Sequence, residues 1–418
     1  MSIQRPYGAG DEADSNEQLA MAHAVMRIPS PRIARTGELL DLIRREVAVT
    51  TSELATKMGV ARSTVTERLE LLTRHGLVVP AGERQAGRGR PPARMAFNPR
   101  AGITLAAQVG MSGTLVAVSD LAGEILWLTQ VQLDLAEGRD ALETMLEKQF
   151  TAGLAEVGED LSRVHGIGIG MPGDIEIAAA GNAAQDPDDW AAHLISRRLQ
   201  GVFHCPVFVD RDVNYLALGE QRVSWPVTNM MLSVKAGTVI VCGLVVDGKV
   251  VRATSGLFGE IGHSKVAGAD APCTCGGRGC LNTVAGGAAL AAQLREQGHD
   301  VHTAREVAQL AKQGVVAAVQ AVRTAGVRIG EVVASAMNLL NPEVITVWGY
   351  LADAGDQFLS GMYEAIYKDA LPGAANSVVL ERSRLGDTAG IRGAALTVIE
   401  HTLRPEVVDS YFTALAEG

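Results

Sequence analysis

Residues Gly259 to Asn282 read GEIGHSKVAGADAPCTCGGRGCLN and bring one histidine, His263, near three cysteines, Cys273, Cys275 and Cys280. Imidazole and thiolate are donors that zinc takes, and four of them close a tetrahedral shell with no position left for water. Cysteines crowded this tightly mark a metal loop rather than a disulfide framework. Gly276, Gly277 and Gly279 allow so short a loop to wrap an ion. A closed shell holds structure instead of polarising a substrate, so the expected cofactor is a structural Zn2+ ion. The alternative, three free thiols, would leave reactive groups exposed. Cys205 and Cys242 stand alone in apolar runs and read as buried core thiols.

Outward from this loop the chain alternates strand and helix patterns. Before it, Ile103–Val109, Thr114–Asp120 and Glu124–Gln132 read as a three-stranded meander with glycine turns. A helix around Leu142–Val157, a strand Val164–Gly170, a strand Pro206–Asp210 and a helix from about Asn214 follow. Past Trp225 the pattern partly repeats, with strands Met230–Val234, Val239–Val246 and Lys249–Arg252. Alanine-rich helices and the strand Val344–Trp348 close the chain. Two similar α/β lobes around a cleft are the architecture implied.

The first hundred residues read differently. Residues 1–30 lack periodicity and are expected to form a loose arm. A helix from Ile33 carries Leu39, Leu42, Ile43 and Val47 on one face, and Thr50 with Glu53 has the capping-box spacing. Leu54, Ala55 and Met58 then lead to a turn at Gly59-Val60, and a third helix turns Val65, Leu69 and Leu72 inward before ending at His75-Gly76. Short helix, glycine turn and helix form a helix-turn-helix, whose second helix is expected to expose Arg62, Ser63, Thr64, Thr66 and Arg68 to base edges and phosphates. An ordinary three-helix bundle with a solvated polar face would read the same. Strands at Leu77–Val79 and Met95–Phe97 bracket GERQAGRGRPPAR, a hairpin tip with Arg84, Arg88, Arg90 and Arg94 against Glu83 alone. Guanidinium groups on a glycine-rich wing suit the narrow minor groove, so double-stranded DNA is the expected partner.

The net charge of −10 conceals an asymmetry. Through Arg100 there are 15 Lys and Arg against 11 Asp and Glu, and beyond it 22 against 36. A basic head on an acidic body suits a DNA reader joined to a self-repelling effector domain. No apolar run approaches the ~20 residues of a membrane span, and the polar, acidic start does not read as a secretory leader. A cytoplasmic protein without membrane insertion is expected.

The GEIGH run, the C-x-C-GG-x-GC run, Met171-Pro172-Gly173 and D-x-N-x-x-x-L-G-E at Asp212–Glu220 resemble the ROK family. That family joins sugar-responsive repressors to sugar kinases of the hexokinase/actin type, and the resemblance runs from about Gly102 to about Ala395. It implies an α/β fold: an N-terminal winged helix-turn-helix (31–98) plus a two-lobed hexokinase/actin-like domain. The first lobe would take 99–225, with a helix at about 388–402 packing back, and the second 226–387 with the metal loop 263–280. Asp212 falls on the family's catalytic base, and Glu260 and His263 on its sugar-hydroxyl contacts.

Other positions depart from the kinases of the family. Their Asp-x-Gly-x-Thr turn is Gln108-Val109-Gly110-Met111-Ser112 here, which puts an amide where a carboxylate helps organise magnesium. Their second phosphate loop reads Ala236 to Gly243 with bulky Val239, Ile240 and Val241, and a late Gly-Gly is Gly349-Tyr350. The chain is therefore expected to sense a ligand, not to phosphorylate one. Arg211 replaces an Asn beside the base, and Asn282 replaces a Glu. Either this pocket takes an anionic sugar phosphate or sugar acid, or Arg211 pairs with Asp210 or Glu260 and the pocket is vestigial. A sugar-controlled regulator of carbohydrate genes, probing a palindromic site as a homodimer or homotetramer, is the expectation. A bifunctional sugar kinase and a regulator captured by a protein partner are the rivals.

Overall fold

The computed structural model describes residues 29–31, 33–81, 94–110, 113–132, 135–173, 192–253 and 257–417. The head begins with three helices, α1 (Thr36–Arg44), α2 (Thr51–Met58) and α3 (Arg62–Arg74), followed by β1 (Val78–Ala81) and β2 (Arg94–Phe97). The Thr50–Glu53 box forms as its spacing implies. Glu53 N–H donates to Thr50 Oγ1 at 3.3 Å, and Thr50 N–H donates to Glu53 Oε2 at 2.9 Å. Gly59 ends α2 at φ 65°, a left-handed conformation that a residue without Cβ adopts at least cost. Val47 does not face the core as expected. α1 stops at Arg44, Glu46 turns to φ 54°, and Val47 is left 51 % exposed.

The body holds two five-stranded sheets of one plan. The first runs β5-β4-β3-β6-β7, built from β3 (Ile103–Gln108), β4 (Thr114–Asp120), β5 (Ile125–Val131), β6 (Val164–Met171) and β7 (Val207–Arg211). The second runs β10-β9-β8-β11-β12, built from β8 (Met230–Ala236), β9 (Ile240–Val246), β10 (Lys249–Val250), β11 (Val344–Trp348) and β12 (Val379–Arg382). Each starts as an antiparallel meander and continues with parallel strands, so the partial repeat seen past Trp225 is a structural repeat. All of β3 is buried because helices cover both faces. Leu142, Leu146 and Phe150 of the helix Arg139–Val157 fill one side, and Ile391, Ala394 and Ala395 of the helix Ala389–Thr402 fill the other.

The helix Asp212–Ser224 lies between the lobes and crosses the helix Ala389–Thr402 at very short range. Glycine makes this possible: a Cβ at Gly219 would meet the Ala389 carbonyl, and one at Gly393 the Tyr215 carbonyl. The chain then turns at Arg404 into a last helix, Pro405–Glu417, which the sequence reading did not anticipate. Val408 and Phe412 of that helix enter the same core as Leu39, Leu54, Val65 and Leu72 of the head. The head is thus not limited to a continuous segment near the N-terminus, because its own helices leave an apolar face that the C-terminal helix covers. Among the described residues, no helix is long and apolar enough to cross a membrane.

Candidate functional site

β7 ends in Asp210 and Arg211 and the next helix opens on Asp212, three consecutive residues of alternating charge, and each pairs with an opposite charge from the second lobe. Arg252 Nη2 meets Asp210 Oδ2 at 2.5 Å. Arg211 donates through Nη2 to Glu260 and through Nη1 to the Phe258 carbonyl. Lys235, near the end of β8, donates to Asp212 Oδ2. The last two pairs are nearly dry, with side-chain exposures of 8 % and 14 % for Arg211 and Glu260, and 13 % and 3 % for Lys235 and Asp212.

The residues expected at a ligand are therefore mostly engaged with one another. Arg211 pairs with Glu260, and Asp210 accepts its backbone N–H at 2.8 Å. Asn282 Oδ1 accepts the Ile240 N–H at 2.7 Å, which ties the metal loop to the β8–β9 turn. Glu220, at the end of the D-x-N-x-x-x-L-G-E run, is buried and accepts from Ser383 Oγ and from Arg384 N–H, so it anchors a loop. The open cleft lies farther along, walled by Gln108, Gly110, Asp212, Lys235, Arg305 and Trp348 among others. Lys235, Arg305 and Trp348 were missed from sequence. The available signal was the one charged residue within the buried run MMLSVKAG.

The metal candidates do come together. One donor atom from each of His263, Cys273, Cys275 and Cys280 lies within 4.8 Å of all the others. Cys275 Sγ is 3.7 Å from Cys280 Sγ, and Cys273 Sγ is 3.6 Å from His263 Nδ1. A tetrahedral ion with Zn–S of ~2.3 Å and Zn–N of ~2.0 Å has edges of about 3.8 Å between sulfurs and about 3.6 Å between sulfur and nitrogen. Those two edges match zinc, and the four donors lie close enough together to hold such an ion. Burial pushes the Cys280 thiol pKa up, and Lys265 Nζ, 3.1 Å from its Sγ, opposes that shift. His263 Nε2 faces Glu260 Oε2 at 3.8 Å, so the loop and the Arg211 pair share a carboxylate.

On α3, Arg62, Ser63 and Thr66 are exposed and Thr64 is half-buried. Arg68 departs from expectation, being 5 % exposed and packed inside the head. Burial lowers its pKa, and its Nε and Nη1 have no hydrogen-bond partner among the described residues. Helical periodicity explains the error: Arg68 lies three residues after Val65, on the stripe that faces the core. Arg84, Arg88 and Arg90 lie outside the described residues; Arg94, at the start of β2, is exposed.

The ROK family pattern matches residues 104–401, and an IclR helix-turn-helix domain matches 33–82. The chain belongs to the ROK family. A xylose repressor of Caldicellulosiruptor bescii is 24 % identical over 87 % of this chain and 95 % of its own length. A glucokinase of Halalkalibacterium halodurans is 29 % identical, over 69 % of this chain and 93 % of its own. A solved ROK transcriptional regulator, a homologue of the E. coli MLC protein, superposes with a TM-score of 0.72 at 23 % identity, covering 93 % of this chain and 99 % of that one. The xylose repressor's match, at 87 % of the chain, is long enough that it must include head residues.

Proposed function

We propose that this ROK protein is a DNA-binding transcriptional regulator of carbohydrate-related genes, most simply a repressor, and that a sugar-derived effector in the interlobe cleft controls it. The observation that carries this reading is the continuity of Ala389–Thr402 with Pro405–Glu417. The first helix packs on the helix that begins at Asp212, and the second completes the core of the head. Closure of the lobes around an effector moves the first helix and with it the second. In a homodimer this changes the spacing of two recognition helices and hence the affinity for a palindrome. Arg62, Ser63, Thr64 and Thr66 reach the major groove, and the wing arginines Arg84, Arg88 and Arg90 the minor groove.

A kinase is disfavoured because Asp212 is held by Lys235 and Gln108 stands at the end of β3. Phosphoryl transfer rests on positioning and charge neutralisation, and the chain lacks a carboxylate at the latter position. His263, Cys273, Cys275 and Cys280 would hold a zinc ion that supplies a structural cross-link and no open coordination position. The test is a binding titration with DNA from upstream of the protein's own gene, at two salt concentrations. Saturable binding that a carbohydrate-derived compound weakens is the expected result. ATP-dependent phosphorylation of a sugar, without specific DNA binding, would overturn the reading.

A further inference from the structure

Where the C-terminal helix crosses the head, a groove of about 570 Å³ lies between α3 and the helix Pro405–Glu417. Its apolar wall includes Ile33, Leu71, Phe412 and Leu415, and Leu415 is 50 % exposed although Phe412, one turn away, is buried. Its rim on α3 is Glu67, Glu70 and Arg74, all exposed and one turn apart. His75, at the end of α3, meets the rings of Tyr411 and Phe412 edge-on, with centroids 6.4 and 5.0 Å away. An apolar channel between two helices with a charged rim is the form taken by a groove that receives a peptide segment. The chain itself leads into it. Ser30 lines the groove, and its carbonyl accepts the Ile33 and Ala34 N–H groups at 2.9 Å each, a turn that holds the chain at the groove's edge. Just upstream, residues 19–28 read LAMAHAVMRI, apolar except for His23 and Arg27 and free of acidic residues.

We propose that this groove is the docking site of the chain's own segment 19–28, with apolar side chains of the segment against Leu71, Phe412 and Leu415 and Arg27 at the Glu67–Glu70 rim. Three arguments favour this occupant over a second copy or another protein. Pro29 alone separates the segment from Ser30, so its effective concentration at the groove is on the order of millimolar, which a free partner has to exceed. The rim from Glu67 to Arg74 extends over about 10 Å of α3, a distance ten residues cover in any regular conformation. The charges are opposite as well, since two carboxylates and one guanidinium on the rim meet a segment whose single formal charge is Arg27. An arm expected to be loose is on this reading anchored over its last ten residues. It braces the contact between α3 and the C-terminal helix, the contact through which the body reaches the head. This holds whichever effector the cleft takes.

The test is hydrogen exchange of the full chain, read by mass spectrometry on peptides covering residues 19–28 and compared with a free peptide of the same sequence. The segment exchanges at least about tenfold more slowly in the chain than in the free peptide. Leu415→Asp, at a half-exposed position, returns the segment to free-peptide rates while α1 and α2 keep theirs. Arg27→Glu also speeds exchange of the segment, and adding Glu70→Arg to it restores protection, which a general loss of folding would not allow. The contact is reciprocal, so Arg27→Glu speeds exchange of amides 411–416 too. Free-peptide rates in the parent chain overturn the proposal, as does protection that survives Leu415→Asp. Protection that disappears on roughly hundredfold dilution places the segment on a second copy and overturns it as well.

Discussion

The carboxylate of Asp409 accepts the backbone N–H of Gly37 at 2.8 Å, and its other oxygen accepts that of Arg35 at 2.7 Å. These donors open α1, whose own N-cap, Arg35, provides no side-chain acceptor. A residue near the C-terminus therefore does for α1 what Thr50 does for α2, and an anion at a helix N-terminus is the favourable sign. Asp409→Ala should cost about 1–2 kcal/mol and loosen the head first. Hydrogen exchange of α1 amides, with DNA affinity, checks this. Unchanged protection of α1 would mean that the contact contributes nothing.

Lys235 and Asp212 stand in different lobes and are both nearly buried, so removing either leaves an uncompensated charge. Asp212→Asn should destabilise the chain by about 3 kcal/mol, while adding Lys235→Met to it should recover most of the loss. A denaturant-melting cycle measures the coupling. Additive effects of the two changes would show that the pair contributes no interaction energy.

Much of this was legible in the sequence, and what was not has a common cause. Short apolar runs bounded by turn residues located β3 to β9 within a residue or two, and β11 fully, because each is flanked by turns that its own neighbours create. Thr50–Glu53 and the four metal candidates were readable because their spacing is local. The C-terminal helix, the Asp409 cap and the Arg252–Asp210 and Lys235–Asp212 ion pairs were not, since each joins residues that only the tertiary fold brings together, whereas Arg211–Glu260 was one of the alternatives the sequence offered. Arg68 sits on the Val65–Leu69–Leu72 stripe, where helical position outweighs residue type. Pro405 at a helix start followed by Val408 and Phe412 was the unused signal for the last helix.

The metal loop should hold one zinc ion per chain, detectable by elemental analysis. Cys280→Ser, at a buried ligand position, should remove it, and a strong chelator should lower Tm of the parent but not of that variant. Cys205→Ser, a buried thiol in the first lobe, should leave the metal content unchanged.

Exposure separates the arginines of α3. Arg62→Ala should weaken DNA binding and reduce the slope of log affinity against log salt by about 1. Arg68→Met should leave that slope unchanged. It should not lower Tm either, because it replaces a buried guanidinium having unsatisfied nitrogens with an apolar chain of similar length. A lowered slope for Arg68→Met would restore Arg68 to the DNA face.

His165 provides an acid-sensitive term in the first lobe. Burial, with a smaller contribution from Arg163, lowers its pKa from 6.5 to about 4. The folded chain thus resists a proton that the unfolded chain accepts, so stability is complete above pH 6.5 and falls as pH drops toward 4. At pH 5 the loss amounts to about 2 kcal/mol. His165→Gln should flatten this part of the profile, seen as a smaller fall in the urea midpoint between pH 7.5 and pH 5. Its ring lies against Gly102, so the substitution must keep the side chain's length to avoid a cavity. If the two proteins lost stability in parallel over that range, the acid sensitivity would belong to other groups.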